Sequence, residues 1–366
     1  MLMKKNIYIA LAACVAFAAC TKNELKPVEV DQQITFQAVV NKPSTKAMLT
    51  GTSYPTSSTF GTVAYKVKNS VSELYIPVSE VKYTAGSPAY WSTEAAYYWP
   101  KESGSSLTFY SYSPFKYSEP GTPTAIVVTH TKDGLTFTDY SVKNHQVTDL
   151  MVADKKANQT GNTSNAGGSW AQGVPTVFHH MLAQIVEINF QTVENASVSP
   201  VVVKDYANDH DGTSGYEYVA GDKQFVVTDV YFENFYEQGT LTAGASQSWS
   251  STGSVTTSYT WYFNTSDPAK FIDGKCTPRN TNYLVLPQNF NDENAKLHVK
   301  YEIHTYTSDS QYATEKMDVS VPLKNLNAKW EMNKKYTYTL NIDLDRIYWD
   351  PKVTDWTTDS TGSAEI

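Results

Sequence analysis

Short runs of alternating apolar and polar residues, closed by proline or glycine, recur along nearly the whole chain and leave it little choice but to fold as β-sheet. The clearest is Ile34-Thr35-Phe36-Gln37-Ala38-Val39-Val40, in which Ile34, Phe36, Ala38 and Val40 alternate with Thr35 and Gln37. That period of two presents one apolar face to a core. Strands are expected at 60–67, 74–78, 96–99, 107–111, 125–129, 135–137 and 150–152, with Pro77, Pro100, Pro114, Gly121 and Gly134 between them. A second series covers 177–190, 225–232, 239–243, 259–263, 283–287, 297–306, 316–323 and 335–344. Composition agrees, since 26 tyrosines stand among abundant Thr, Val and Ser, residue types that suit a pleated, half-buried surface. Seven or so strands in each half, at sandwich-like spacing, predict an all-β protein with two tandem β-sandwiches.

The N-terminus is a separate matter. Lys4 and Lys5 precede 13 residues, Ile7 to Ala19, that are largely apolar and too few to span a bilayer, so 1–19 reads as a signal peptide. Ala18-Ala19-Cys20 resembles a lipobox, which implies lipidation of Cys20, cleavage before it and an outer-membrane lipoprotein precursor. Cys14 leaves with the leader and Cys20 is taken by lipid, so Cys276, in a turn-like Gly and Pro setting, has no partner for a disulfide. Stability then rests on burial and strand pairing.

The chain has 37 acidic against 29 basic residues, only two of them arginines, Arg279 and Arg346, which speaks against nucleic acid as a partner. Nothing suggests an enzyme: glycine patterns for nucleotides, a nucleophile elbow and a His-Glu-x-x-His zinc site are all missing. His179 and His180 are neighbours on an expected strand and face opposite ways, while His298 and His304 share a face but lie about 20 Å apart. Asp205, Asp209 and Asp211 read as a solvated loop, because their spacing does not fit an EF-hand. No cofactor or metal is expected.

Two segments look built for pairing. Residues 20–46 combine a polar tether, the strand above and a cleavable loop holding Pro43 and Lys46-Ala47. At the other end, Ile347, Trp349, Pro351 and Val353 repeat the period of two inside a C-terminal tail, 345–366, where apolar stripes are unusual.

Together these pieces resemble the fimbrillin family, lipoprotein precursors of type V pili. The resemblance is carried by Cys20, Ile34-Thr35-Phe36, Lys46-Ala47, Tyr97-Tyr98-Trp99-Pro100, the 107–114 segment, Asp149-Leu150-Met151-Val152-Ala153, His180-Met181-Leu182-Ala183, Tyr283-Leu284-Val285-Leu286-Pro287-Gln288 and the Trp-rich tail. It implies two transthyretin-like β-sandwich domains, expected at 47–176 and 177–344. It further implies removal of the Ile34, Phe36, Ala38 and Val40 strand by a trypsin-like protease and strand exchange with the tail residues Ile347, Trp349 and Val353 as donor. The partners implied are other pilus subunits in a homo- or heteropolymer, the outer membrane through lipid, and a receptor on a host or bacterial surface. Family members are often cut after arginine, and this chain has lysine at 46. The competing reading is a surface glycan-binding lipoprotein in which Trp170, Trp249 and Trp261 stack on sugars.

Overall fold

The computed structural model describes residues 33–40, 52–86, 89–117, 124–143, 148–161, 173–192, 220–221, 223–251, 255–256, 259–260, 275–276, 283–308, 310–342 and 347–356. The all-β expectation holds: one four-residue helix, Leu323–Leu326, interrupts an otherwise strand-built protein among these residues.

In the N-terminal half the chain forms β1 (Phe36–Val40), β2 (Phe60–Lys68), β3 (Val71–Thr84), β4 (Tyr90–Thr93), β5 (Ser106–Ser113), β6 (Gly134–Ser141), β7 (Met151–Ala153) and β8 (Val174–His180). Seven of these run in the order β5-β2-β3-β4-β1-β8-β7, and β7 pairs back on β5, so the sheet closes into a ring. Closure removes the exposed edges that an open sheet presents. Only the β1–β8 contact in this ring is parallel, with Phe36 opposite Val174 and Val40 opposite Phe178. On its other side β1 meets β4 antiparallel, Phe36 opposite Trp91, and the short Thr52–Ser53 strand lies along Val39 and Val40. The expected strand at 96–99 is instead a single bridge, Gln33 to Tyr98, beside a hydrogen bond from Ile34 N to Tyr97 O.

The expected single strand over 177–190 is two strands. β8 ends at His180, and after Met181–Leu182 the chain enters β9 (Ala183–Thr192), which belongs to a different sheet. The C-terminal half continues with β10 (Lys223–Glu233), β11 (Gln238–Ala243), β12 (Lys296–Ser308), β13 (Gln311–Pro322), β14 (Lys334–Ile342) and β15 (Ile347–Asp355). One sheet contains β9, β14 and β15, the other β10, β12 and β13. Between them Ile185, Ile188, Tyr336 and Tyr338 pack on Val230, Phe232, Leu297, Val299, Tyr301 and Ile303. Trp330 sits at the centre, its N–H donating to the Tyr338 hydroxyl at 2.9 Å and its ring edge-on to Phe290. Burial pushes the Tyr338 hydroxyl well above the ordinary phenol value and that of Tyr336 up to about 12, so both stay neutral hydrogen-bonding groups.

A third sheet joins the halves: β6 pairs with β11, Leu135 opposite Ala243 and Tyr140 opposite Gly239. Beneath it Val63, Tyr110, Tyr112 and Val152 from the ring meet Leu241, Leu284, Leu286 and Trp356.

Gly173, at the entrance to β8, fits for steric reasons. A Cβ there would stand 2.2 Å from the Phe36 nitrogen. Overpacking of this kind costs about 1–3 kcal/mol. We therefore expect Gly173→Ala to lower the unfolding free energy by that amount in urea titrations.

Candidate functional site

β1 is a central strand whose side chains complete the ring. Ile34, Phe36, Ala38 and Val40 are all buried, as the alternation predicts for that face, but Thr35 and Val39 on the other face are buried as well. β1 is therefore covered on both faces, whereas alternation implies only one. Phe36 is the hub: its ring lies edge-on to Phe60 at 5.8 Å and to Phe109 at 5.7 Å. Tyr54 closes that end of the core, packing on Phe60, Trp91 and Phe178, and its hydroxyl bonds to Ser113 Oγ at 2.7 Å. Lifting β1 out would strip these side chains from the core and leave β8 and β4 with unpaired backbone along the gap.

β15 is placed differently. It pairs antiparallel with β14 over nine residues, from Lys334 opposite Asp355 to Ile342 opposite Ile347, and forms the edge of its sheet among the described residues. Val353 is exposed. The strand is fastened at its end, where Trp356 is buried and stacks on His180 with centroids 4.0 Å apart and planes 6° from parallel. The His180 ring is held from behind by Asp149, Nδ1 to Oδ2 at 2.6 Å, and the backbone N–H of Trp356 donates to Asn333 O. His180 is the last residue of β8, so the end of the tail rests on the strand that pairs with β1.

His179 faces the other way, as alternation requires, and bonds to Asp154 at 3.0 Å. That bond holds the Asp154 carboxyl below its ordinary value. A depressed carboxyl stabilises the fold above its unfolded value, roughly 3.9, and the gain is lost as pH falls through the lower folded value. In Asp154→Asn that portion of acid sensitivity should vanish from melting curves taken between neutral and strongly acid pH.

The other sequence-predicted groups do not converge. His298 bonds Glu233 at 2.7 Å and His304 bonds Glu302 at 2.9 Å, separate pairs on the outer face of β12. Among the described residues no three His, Cys, Asp or Glu side chains are grouped to hold a metal ion. Trp249 does not serve as a free platform: its N–H donates to Met181 O at 2.6 Å and its ring packs on Tyr140. Cys276 lies in a two-residue strand, Lys275–Cys276, paired with β9 and not in a turn. Cys20, Lys46, Ala47, Trp170, Trp261 and the 205–211 aspartates lie outside the described residues.

Two features of the site escape sequence reading. Gly173 resembles a loop glycine until the approach of Phe36 is seen. The partnership of His180 with Trp356 spans 176 positions and has no local signal; only the presence of a tryptophan after an alternating tail hints at an anchor.

A profile described as fimbrillin-like matches residues 45–356. Among solved structures, a fimbrial protein from Bacteroides vulgatus is 18% identical, covers 88% of this chain and 99% of its own, and superposes with a TM-score of 0.54. A fimbrilin from Porphyromonas gingivalis is 12% identical, with 90% and 99% covered and a TM-score of 0.39. No curated protein matches.

If the Trp356–His180 stack holds the tail, Trp356→Ala should raise amide hydrogen exchange across β15 by roughly tenfold or more, as loss of a buried tryptophan implies. Exchange in β4, whose Trp91 belongs to a separate apolar cluster, should be unchanged.

Proposed function

Because the chain belongs to the fimbrillin-like family, we propose that it is a shaft or tip subunit of a type V-like pilus. In this reading it is exported as a surface lipoprotein through Cys20, cut after Lys46 and assembled by strand exchange, with tail 345–366 filling the place of β1. The two units expected at 47–176 and 177–344 stay part of the proposal, with β8 carrying the ring on to His180 before the chain changes sheets at Met181–Leu182. Its partners are further subunits, a trypsin-like protease that accepts lysine, the outer membrane and a receptor on another surface. Family membership supports a structural, non-enzymatic role at the cell surface.

The observation that carries the reading is the position of β1, a core strand that precedes Lys46 in sequence and is covalently joined to the rest of the ring through that one segment. While joined, it meets its seat at roughly millimolar effective concentration, and a second molecule's strand competes poorly. Cutting abolishes that advantage. Each buried Ile, Phe or Val contributes about 1.5–3 kcal/mol and each ladder hydrogen bond about 1 kcal/mol. Association costs ~4–15 kcal/mol, so an incoming strand succeeds only by filling most of the seat.

Treating the purified precursor with a lysine-specific protease should give a chain that begins at Ala47 on N-terminal sequencing, followed by a ladder of detergent-resistant oligomers in unboiled samples. Deleting 347–366 should abolish the ladder. An unchanged N-terminus at Cys20 in surface material would remove the processing step from the proposal.

A further inference from the structure

Strand exchange names a donor and a seat but leaves open how the two align. We propose that the seat of β1 accepts the tail of a second copy of this chain in one register and one orientation: parallel to β8, with Ile347, Trp349, Pro351 and Val353 taking the places of Ile34, Phe36, Ala38 and Val40. This rests on the strand-exchange reading and adds the alignment that makes it specific.

The inward positions of the seat are stringent, because the side chains occupying them are 1%, 3%, 7% and 4% exposed. Sliding the tail by one residue turns Asp350 and Lys352 inward, since a one-residue slip exchanges the faces of a strand. Sliding it by two in one direction puts Asp345 where Ile34 sits; in the other direction Asp355 arrives at the place of Val40. Every such slip sets an unpaired charge among the rings of the inner cluster, which an apolar core does not tolerate, whereas the proposed alignment keeps Asp350 and Lys352 off that cluster, at the places of Gln37 and Val39, where the long lysine stem can carry its ammonium toward water. The acidic residues that bracket the apolar stripe therefore act as stops on both sides.

Alternation alone does not choose the direction, because the stripe reads as apolar both ways; side-chain size does. Run antiparallel, the strand brings Trp349 to the place of Ala38 and Pro351 to that of Phe36. Run parallel, the largest side chain enters the largest slot, the edge-on cage of Phe60 and Phe109. The proline also falls where it does no harm. The carbonyl of Ala38 accepts from Tyr54 N, on the side away from β8, and the N–H of a strand residue points the same way as its carbonyl. A proline at that place takes no donor from the β8 ladder.

The incoming set is bulkier than the set it replaces, indole for phenyl and proline for alanine, so it buries more apolar surface once seated. Thr52–Ser53, which lies along Val39 and Val40 just downstream of the cut, loses its upstream attachment there. Before any of this the tail must leave β14 and withdraw Trp356 from His180.

The alignment is tested by disulfide trapping between two single-cysteine populations in a Cys276→Ser background. Acceptor chains carry Val177→Cys, opposite Val39 on the outer face of β8. Donor chains carry Tyr348→Cys, Asp350→Cys, Lys352→Cys or Thr354→Cys. Neighbouring strands bring paired residues within disulfide reach. After lysine-specific cleavage and mild oxidation, only the Lys352→Cys donor should give a covalent dimer with the acceptor. A dimer with Tyr348→Cys means reversed insertion, and one with Asp350→Cys or Thr354→Cys a two-residue slip; each overturns the alignment while leaving strand exchange intact. A ladder that persists without residues 347–366 overturns both.

Discussion

The parallel contact between β1 and β8 is what the N-terminal ring depends on. Without it the ring opens between β4 and β8, Phe36 leaves the cage of Phe60 and Phe109, and five residues of β8 lose their neighbour on one side. Neither β1 nor β8 contains a cysteine, so no disulfide ties that seam directly, and the chain leaving β1 after Val40 is its covalent link onward. Close packing makes the seam all-or-none: a strand buried on both faces gains little until most of its side chains are seated. A removable piece could be placed at a sheet edge at far lower cost to stability. Its central position means that removal creates a deep, shaped vacancy instead of a shaved surface, and a vacancy of that kind selects what refills it.

The tail shows the opposite design. β15 gives up one ladder when it leaves, and β14 remains supported by β9 on its other side. Peeling an edge strand breaks one ladder where extracting a central one breaks two, so in the proposed exchange the acceptor seat is the more tightly filled and the donor the more lightly held. The Trp356–His180 stack adds a local fastening where β15 ends, in the apolar cluster shared by the two halves. Because His180 closes β8 and Asp149 leads into β7, the fastening sits on the two ring strands that border the seam on one side.

Much of this was legible in the residues. The alternation at Ile34–Val40 announced a strand with a buried face, and that at Ile347–Val353 announced a second strand in a tail that would ordinarily shed apolar groups. What alternation cannot express is that a second layer covers the polar face too, so the burial of Thr35 and Val39 came only with the structure. The change of sheets at Met181–Leu182 was hidden for a related reason: apolar residues run almost unbroken from Val174 to Ile188, and continuity of hydrophobicity says nothing about which sheet each stretch joins. Gly173 and the Trp356–His180 stack depend on approaches between residues remote in sequence, which leave no periodic trace.

The direction of the β1–β8 contact also restricts where a substitute strand can originate. Antiparallel neighbours can be joined by a two-residue turn, but a strand lying parallel to its neighbour needs a long connection. Once the leading segment is cut, no stretch next to β8 in sequence can fold back into the gap in that sense: the chain leaves β8 at His180 and is committed to another sheet within three residues. β15, meanwhile, is paired with β14 in the second sandwich, with its end resting on the far end of β8. To lie parallel along Val174–Phe178, the tail of the same molecule would have to carry its leading residues back past that anchor to the start of β8. A second molecule faces no such constraint, since its tail can approach the open end of the seam directly. In the proposed exchange, the parallel sense of one short pairing thus favours filling from outside over refilling from within.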